Sequence, residues 1–176
     1  MSNDARNPIL SAIWDGLTRR LHLSAAPQTV PVRGHIHFKH VQADGSVREF
    51  DLDNLIMDAG EDEVAQLVCG VAATAFDYIA IGTADTAPDD SQTALGAEIT
   101  TNGGSRTQDG STGTSGNVAT IDVTFNFTGS LAIKEVGLFN AASNGDMLAR
   151  QVFSVINVGD GDALTVTWNI TVGTAR

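Results

Sequence analysis

The chain is poor in cysteine, in basic residues and in long apolar runs, and each shortage removes a class of protein. One cysteine, Cys69, stands among 176 residues, so no intrachain disulfide can form. At that length folding removes roughly 70% of the chain's surface from water, enough to build one domain on a hydrophobic core alone. Cys69 lies in the apolar run 67–70, which points to plain burial, the common fate of an unpaired cysteine. Ten Lys and Arg face 21 Asp and Glu, a formal net charge of -11. That balance speaks against nucleic-acid binding, which needs basic patches to displace counterions, and suits a surface that resists non-specific association. No stretch approaches the roughly 18 apolar residues of a membrane span. Residues 1–7 are polar and lack the apolar core of a signal peptide. The expectation is a protein made in a cytoplasm and kept there unless an assembled particle carries it out. Aromatic residues are few, two Trp, one Tyr and seven Phe, and most fall on core-facing positions, which leaves little for a carbohydrate-binding platform.

What is present is organised by period. Asn7 suits an N-cap and Pro8 the first helical position. Ile9, Ile13, Trp14, Leu17 and Leu21 then recur at helical spacing, with Arg19 and Arg20 in the last turn. This predicts a short N-terminal helix. A helix of this length is marginal alone in water, so it packs either on its own body or on a neighbouring subunit. Its apolar stripe, with a tryptophan in it, reads as an interaction surface. Residues 25–31 hold two prolines and read as a linker, giving a helical arm over 1–31 and a second unit over 32–176.

From Val32 the period becomes two. Val32, Gly34, Ile36 and Phe38 alternate with Arg33, His35, His37 and Lys39. Asp44-Gly45 is a hairpin signal, with a return strand over 47–52. Residues 58–70 predict one short internal helix with Val64, Leu67 and Val68 on one face, and 76–82 a buried strand. Residues 100–117 are nearly all Gly, Ser, Thr, Asn, Gln and Asp, which predicts a mobile excursion dispensable for folding. The alternating runs 119–127, 132–138, 148–156 and 164–172, with turn signals at Gly129, Asn144-Gly145 and Gly159–Gly161, predict a mainly β, antiparallel, jelly-roll-like sandwich.

Candidate chemistry is sparse. His35 and His37 share a strand face and have metal-ligand spacing, but they lack a third ligand, and His40 points the other way; a polar outer face is the reading. Gly159-Asp160-Gly161-Asp162 and the cluster Asp85, Asp89, Asp90 offer oxygens to calcium, yet no complete loop motif is present and turn chemistry accounts for both. No nucleophile elbow, phosphate loop, HExxH or paired-cysteine pattern occurs. The expectation is no enzyme, no catalytic residue, no cofactor and no metal. Glu135 sits among apolar neighbours, and a buried charge needs a partner. Arg150, on a later strand, is the predicted one, in a structural ion pair. Gly82 and Gly137 interrupt strands, which signals bulges or close backbone approach.

One ordered series carries more specific information. It runs Asn54-Leu55-Ile56, Asp58-Ala59-Gly60, Tyr78-Ile79-Ala80-Ile81-Gly82-Thr83, Thr93-Ala94-Leu95 with Glu98, Ile133-Lys134-Glu135-Val136-Gly137-Leu138-Phe139-Asn140, Met147-Leu148-Ala149-Arg150, and Asp162-Ala163-Leu164-Thr165-Val166-Thr167-Trp168. Over roughly 54–172 this resembles structural proteins of tailed-bacteriophage virions, and it is similar to the N-terminal module of tail-collar fibre proteins, which couples fibres to a baseplate. The resemblance implies a non-enzymatic virion component in several identical copies, made in the host cytoplasm. Its partners would be other virion proteins of the tail or baseplate, with no nucleic acid or membrane contact. Collar fibres continue into a shaft, whereas this chain stops at Arg176, just past its last strand. An adaptor or anchor at the tail is therefore the expectation. A decoration protein on the outer head surface, bound to the major capsid protein, is the alternative that the acidic, compact chain suggests.

Overall fold

The computed structural model describes residues 30–71, 74–108, 110 and 112–173. The predicted N-terminal helix, with Ile9, Ile13, Trp14, Leu17 and Leu21, lies outside the described residues, as does nearly all of the proposed 1–31 arm.

The described residues form ten strands and one helix in chain order: β1 (Val32–Val41), β2 (Val47–Asp53), β3 (Leu55–Ile56), α1 (Asp58–Cys69), β4 (Tyr78–Gly82), β5 (Thr107–Gln108), β6 (Gly113–Ser115), β7 (Val118–Asn126), β8 (Leu131–Phe139), β9 (Met147–Val158) and β10 (Ala163–Val172). They form two five-stranded antiparallel sheets, ordered β2-β1-β10-β7-β6 and β3-β9-β8-β4-β5. Alternation explains the first sheet. Ile36 and Phe38 of β1, Ile121, Val123 and Phe125 of β7, and Leu164, Val166, Trp168 and Ile170 of β10 all enter one core. The intervening Arg33, His35, Asp122, Thr165 and Thr167 form a polar outer face. The second sheet closes the same core with Ile79, Ile81, Ile133, Val136, Leu138, Ile156 and Val158. The chain is thus a mainly β sandwich. Among the described residues, no helix is long and apolar enough to cross a membrane.

The second sheet is buried on its outer face too. Met57, Ala80, Leu95, Phe139 and Met147 form a second apolar cluster there, with Tyr78 against it. Strict alternation would not allow Ile133 and Val136 into the same core. The β8–β9 register shifts between Ile133 and Glu135, and that irregularity changes which residues face in. It sends Lys134 to the surface, where it donates to Asp85 at 2.9 Å, and turns Glu135 beneath the covering loop.

Helix α1 sits on β9 because Gly60 has no side chain; a methyl there would stand 2.5 Å from the Leu148 Cα. Gly70, with φ 67°, ends the helix in the left-handed region and its N–H bonds back to the last turn. Among the described residues only one side of α1 is covered; Val68 is 84% exposed and Leu67 is half exposed. The expected burial of Cys69 is corrected by this arrangement: the thiol is exposed on the uncovered side.

Candidate functional site

The most elaborate polar arrangement is built on the outer face of the second sheet. Glu135 of β8 pairs across the ladder with Gly82 of β4, while Arg150 of β9 pairs with Gly137 of β8. The two charged side chains are therefore diagonal neighbours on adjacent strands. Arg150 donates to Glu135 Oε2 through Nη2 at 2.7 Å and Nε at 3.1 Å, with the Glu135 and Arg150 side chains 0% and 1% exposed. The expected pair is thus a fully buried contact.

Its remaining valences hold a loop. Glu135 Oε1 accepts the Ala97 N–H at 2.8 Å and the Ala84 N–H at 3.2 Å, and Oε2 accepts that of Gly96 at 3.0 Å. Arg150 Nη1 donates to Gln92 Oε1 at 2.9 Å and to the Thr86 carbonyl at 3.1 Å. One carboxylate and one guanidinium thereby satisfy backbone groups at both ends of the 84–97 loop and a side chain in its middle, the condition under which buried charge is tolerated. The glycines flagged in the sequence make the room. A methyl at Gly82 would stand 2.7 Å from both the Glu135 Cγ and the Ala97 carbonyl oxygen, and one at Gly137 would press on Phe139 and Leu95. Close approach is present at both glycines, and a second β8–β9 register shift falls just after Gly137, between Leu138 and Phe139.

A second arginine fastens the far end of this cover. Arg106 donates to Glu98 through Nη2 at 2.7 Å and Nε at 3.0 Å, and through Nη1 to the Asn144 and Ala141 carbonyls at 2.8 and 3.0 Å. Its guanidinium lies 3.7 Å from the centroid of the Phe139 ring. The expectation of a mobile, dispensable excursion over 100–117 is corrected: β6 in its second half pairs with β7, and its first half is packed on the sandwich. Gly104 packs on Ile99, Leu131 and Ile81, and β5 pairs with β4. Sequence reasoning passed over Arg106 because its surroundings are polar; the signal was a lone cation in that tract, eight residues after Glu98. We expect Arg106→Ala to lower stability by about 1–3 kcal/mol, through lost charged hydrogen bonds and the ring contact. Thr114→Ala, on exposed edge strand β6, should leave it within about 0.5 kcal/mol. Urea titrations of the two variants test the contrast.

The histidines divide as their strand parity requires. His35 and His37 lie outward, opposite Asp53 and Asp51 of β2. His37 Nδ1 is 2.9 Å from Asp51 Oδ1, and His35 is 3.2 Å from Asp53 and 3.3 Å from Asp51. The His37 hydrogen bond, first among the causes, holds the Asp51 carboxyl below the usual carboxylate range. With Lys39 opposite Glu49 this is a cross-strand charge ladder. Among the described residues no group of His, Cys, Asp and Glu is arranged to hold a metal ion.

His40 turns inward and its Nε2 lies 3.0 Å from Asp162 Oδ2. Asp162 also accepts the Gly159 and Ala43 N–H groups at 2.9 and 2.8 Å, so the Gly-Asp-Gly-Asp segment ties the β9–β10 turn to the β1–β2 hairpin. The Gly159 and Ala43 amides, then His40, depress the Asp162 pKa. A depressed carboxylate contributes stability that is fully present above its unfolded value, near pH 4, and is lost as pH falls through the lower folded value. Stability should therefore drop below about pH 4, and Asp162→Asn should show a shallower drop. Urea midpoints measured from neutral to strongly acidic pH check this; parallel curves for the two proteins would contradict it.

Between the edges of the two sheets runs an open groove of ≈ 800 Å³, floored by Phe50, Leu52, Val152, Phe153 and Ile156. Phe50 stacks on the buried Phe38 at 4.7 Å between centroids, and Phe153 leans on Phe38 at 4.9 Å. The short β3 reaches β9 only at Arg150 and Ala149. No protein-family model matches the chain, and neither a curated protein nor a solved structure matches it significantly.

Proposed function

We propose that the protein is a non-enzymatic structural component of a tailed-phage particle, present in several identical copies, and that it serves as a tail or baseplate protein that anchors fibres. The observation that carries the reading is where the residues of the phage-like series fall. Glu135, Gly137, Arg150, Gly82 and Leu95 form one interlocked unit in which sheet and covering loop are held together. Glu135 takes five hydrogen bonds from protein donors and Arg150 gives four to protein acceptors. Charged groups so fully engaged build architecture rather than react. Trp168, from the same series, donates its indole N–H to Asn54, another member, at 2.9 Å. Copies on a symmetric particle add their contacts, so a weak attachment per copy suffices.

A capsid decoration protein is the second reading, favoured by the net charge of -11 and the polar outer face of the first sheet. Electron microscopy of intact particles carrying a labelled copy separates the two. Label at the tail end supports the anchor, label over the head supports decoration, and unlabelled particles would overturn both.

A further inference from the structure

The free edge of β9 and the groove beside it have the form of a place for one more strand. We propose that an extended segment of a different polypeptide, with apolar residues at alternate positions and a carboxylate facing Arg48, adds to β9 along this groove. The inference is independent of the virion reading.

The edge itself comes first. β3 pairs with β9 only at Ala149 and Arg150. Among the described residues no strand lies beside β9 from Gln151 to Val158 on the side away from β8. That stretch spans roughly 20 Å. It contains no proline, glycine or charged residue, so it lacks the charges and prolines that keep a sheet edge from pairing. The edge strand across the groove, β2, is guarded by comparison, with Glu49, Asp51 and Asp53 at alternate positions.

A peptide-like group already stands at the head of this edge. The Gln151 side-chain amide accepts the Val152 N–H through Oε1 at 2.9 Å. Its Nε2 donates to the Asp53 carbonyl at the end of β2. An amide thus offers an acceptor to β9 and a donor to the opposite side, which is what the backbone of an added strand does at each step. The gap at the end of the groove is therefore of peptide dimensions.

The lining specifies the side chains. Phe50, Leu52, Phe153 and Ile156 floor the groove, and Val155 is 47% exposed. Every second residue of an added strand faces such a floor, which gives alternate apolar positions. The lining includes His40 and Arg48 and no acid, on a chain of net charge -11. His40 is bonded to Asp162. Among the described residues Arg48 has neither a hydrogen bond nor an ion pair. The hollow beyond the other end, near Asn54, carries Asp53, Asp58, Glu61 and Asp90. A carboxylate on the incoming segment is drawn to the Arg48 end and repelled from the other. A second copy does not supply such a strand from its described edges. Its β3, β5 and β6 have two, two and three residues. Its β2 already packs Phe50 and Leu52 on its own core, and its β9 brings no carboxylate to Arg48.

Selection of a random peptide library on the full-length chain tests the proposal. Enriched peptides should alternate apolar with polar residues and carry an Asp or Glu in phase with the apolar ones near one end. In hydrogen exchange read by mass spectrometry, they should slow the exposed-edge amides of 152–158 at least about tenfold. Arg48→Glu changes an exposed side chain; it should weaken binding at least about tenfold, and Lys in place of the peptide's acid should restore it. No enriched sequence, enriched sequences without the acid, or protection elsewhere on the sandwich would overturn the proposal. Edge amides already protected before peptide is added would overturn it too. Protection that grows with protein concentration would assign the groove to a second copy, and protection unchanged on dilution would assign it to the chain's own residues.

Discussion

Glu135→Ala should cost about 3–5 kcal/mol, because it leaves the Arg150 guanidinium buried without its counter-charge and frees three loop amides. Against a domain stability of roughly 5–15 kcal/mol this is enough to populate the unfolded state. Glu135→Gln keeps the shape and two oxygen- or nitrogen-bearing positions while removing the charge; it should fall between parent and alanine variant and remain measurable if the alanine variant does not fold. Adding Arg150→Ala to Glu135→Ala should cost less than the sum of the single losses, since the second change removes the orphaned charge. Urea unfolding of all four proteins measures the coupling. Strictly additive losses would mean that the two side chains are held by their other partners and not by one another.

Gly82→Ala should cost about 2–4 kcal/mol although it adds one methyl, since that methyl must displace both the Glu135 stem and the Ala97 carbonyl. The comparison positions make the effect diagnostic. A methyl at Gly113 meets nothing within 4 Å and should be close to neutral. Gly45, at φ 85°, also has open space but needs the left-handed region, so alanine there should cost about 1 kcal/mol from backbone strain alone. If Gly82→Ala behaves like Gly113→Ala, the loop is not clamped as described. In a Glu135→Ala background the Gly82→Ala penalty should shrink, because one of its two obstacles has gone.

The parts of the fold that repeat with a simple period are legible in the sequence alone. β1, β7 and β10 alternate faithfully, and their turns carry Gly45 and Gly161 at positive φ. The Glu135–Arg150 pair was legible for another reason: a charge in an apolar strand has few places to go. Arg106 was not, because burial there is conferred by Phe139 and by carbonyls distant in sequence, and a polar tract carries no trace of that. The bulge in β8–β9 was also hidden, since Ala132, Val136 and Leu138 fit a regular alternation that the structure replaces with Ile133, Val136 and Leu138 facing in. Cys69 misled because a run of apolar residues on a helix says nothing about which side finds a partner. The loop over the second sheet was read only as turns; its role is set by backbone amides meeting one carboxylate, a three-dimensional match without a sequence period.

In the proposed role, this sandwich is a part from which a tailed-phage particle is assembled. Quantitative peptide mass spectrometry of purified tailed-phage particles from the same source tests it most directly. This chain should be present at a fixed number of copies per particle, in an integer ratio to a tail or capsid protein set by the particle's symmetry. Its absence from purified particles, or a trace amount that varies between preparations, would contradict that claim.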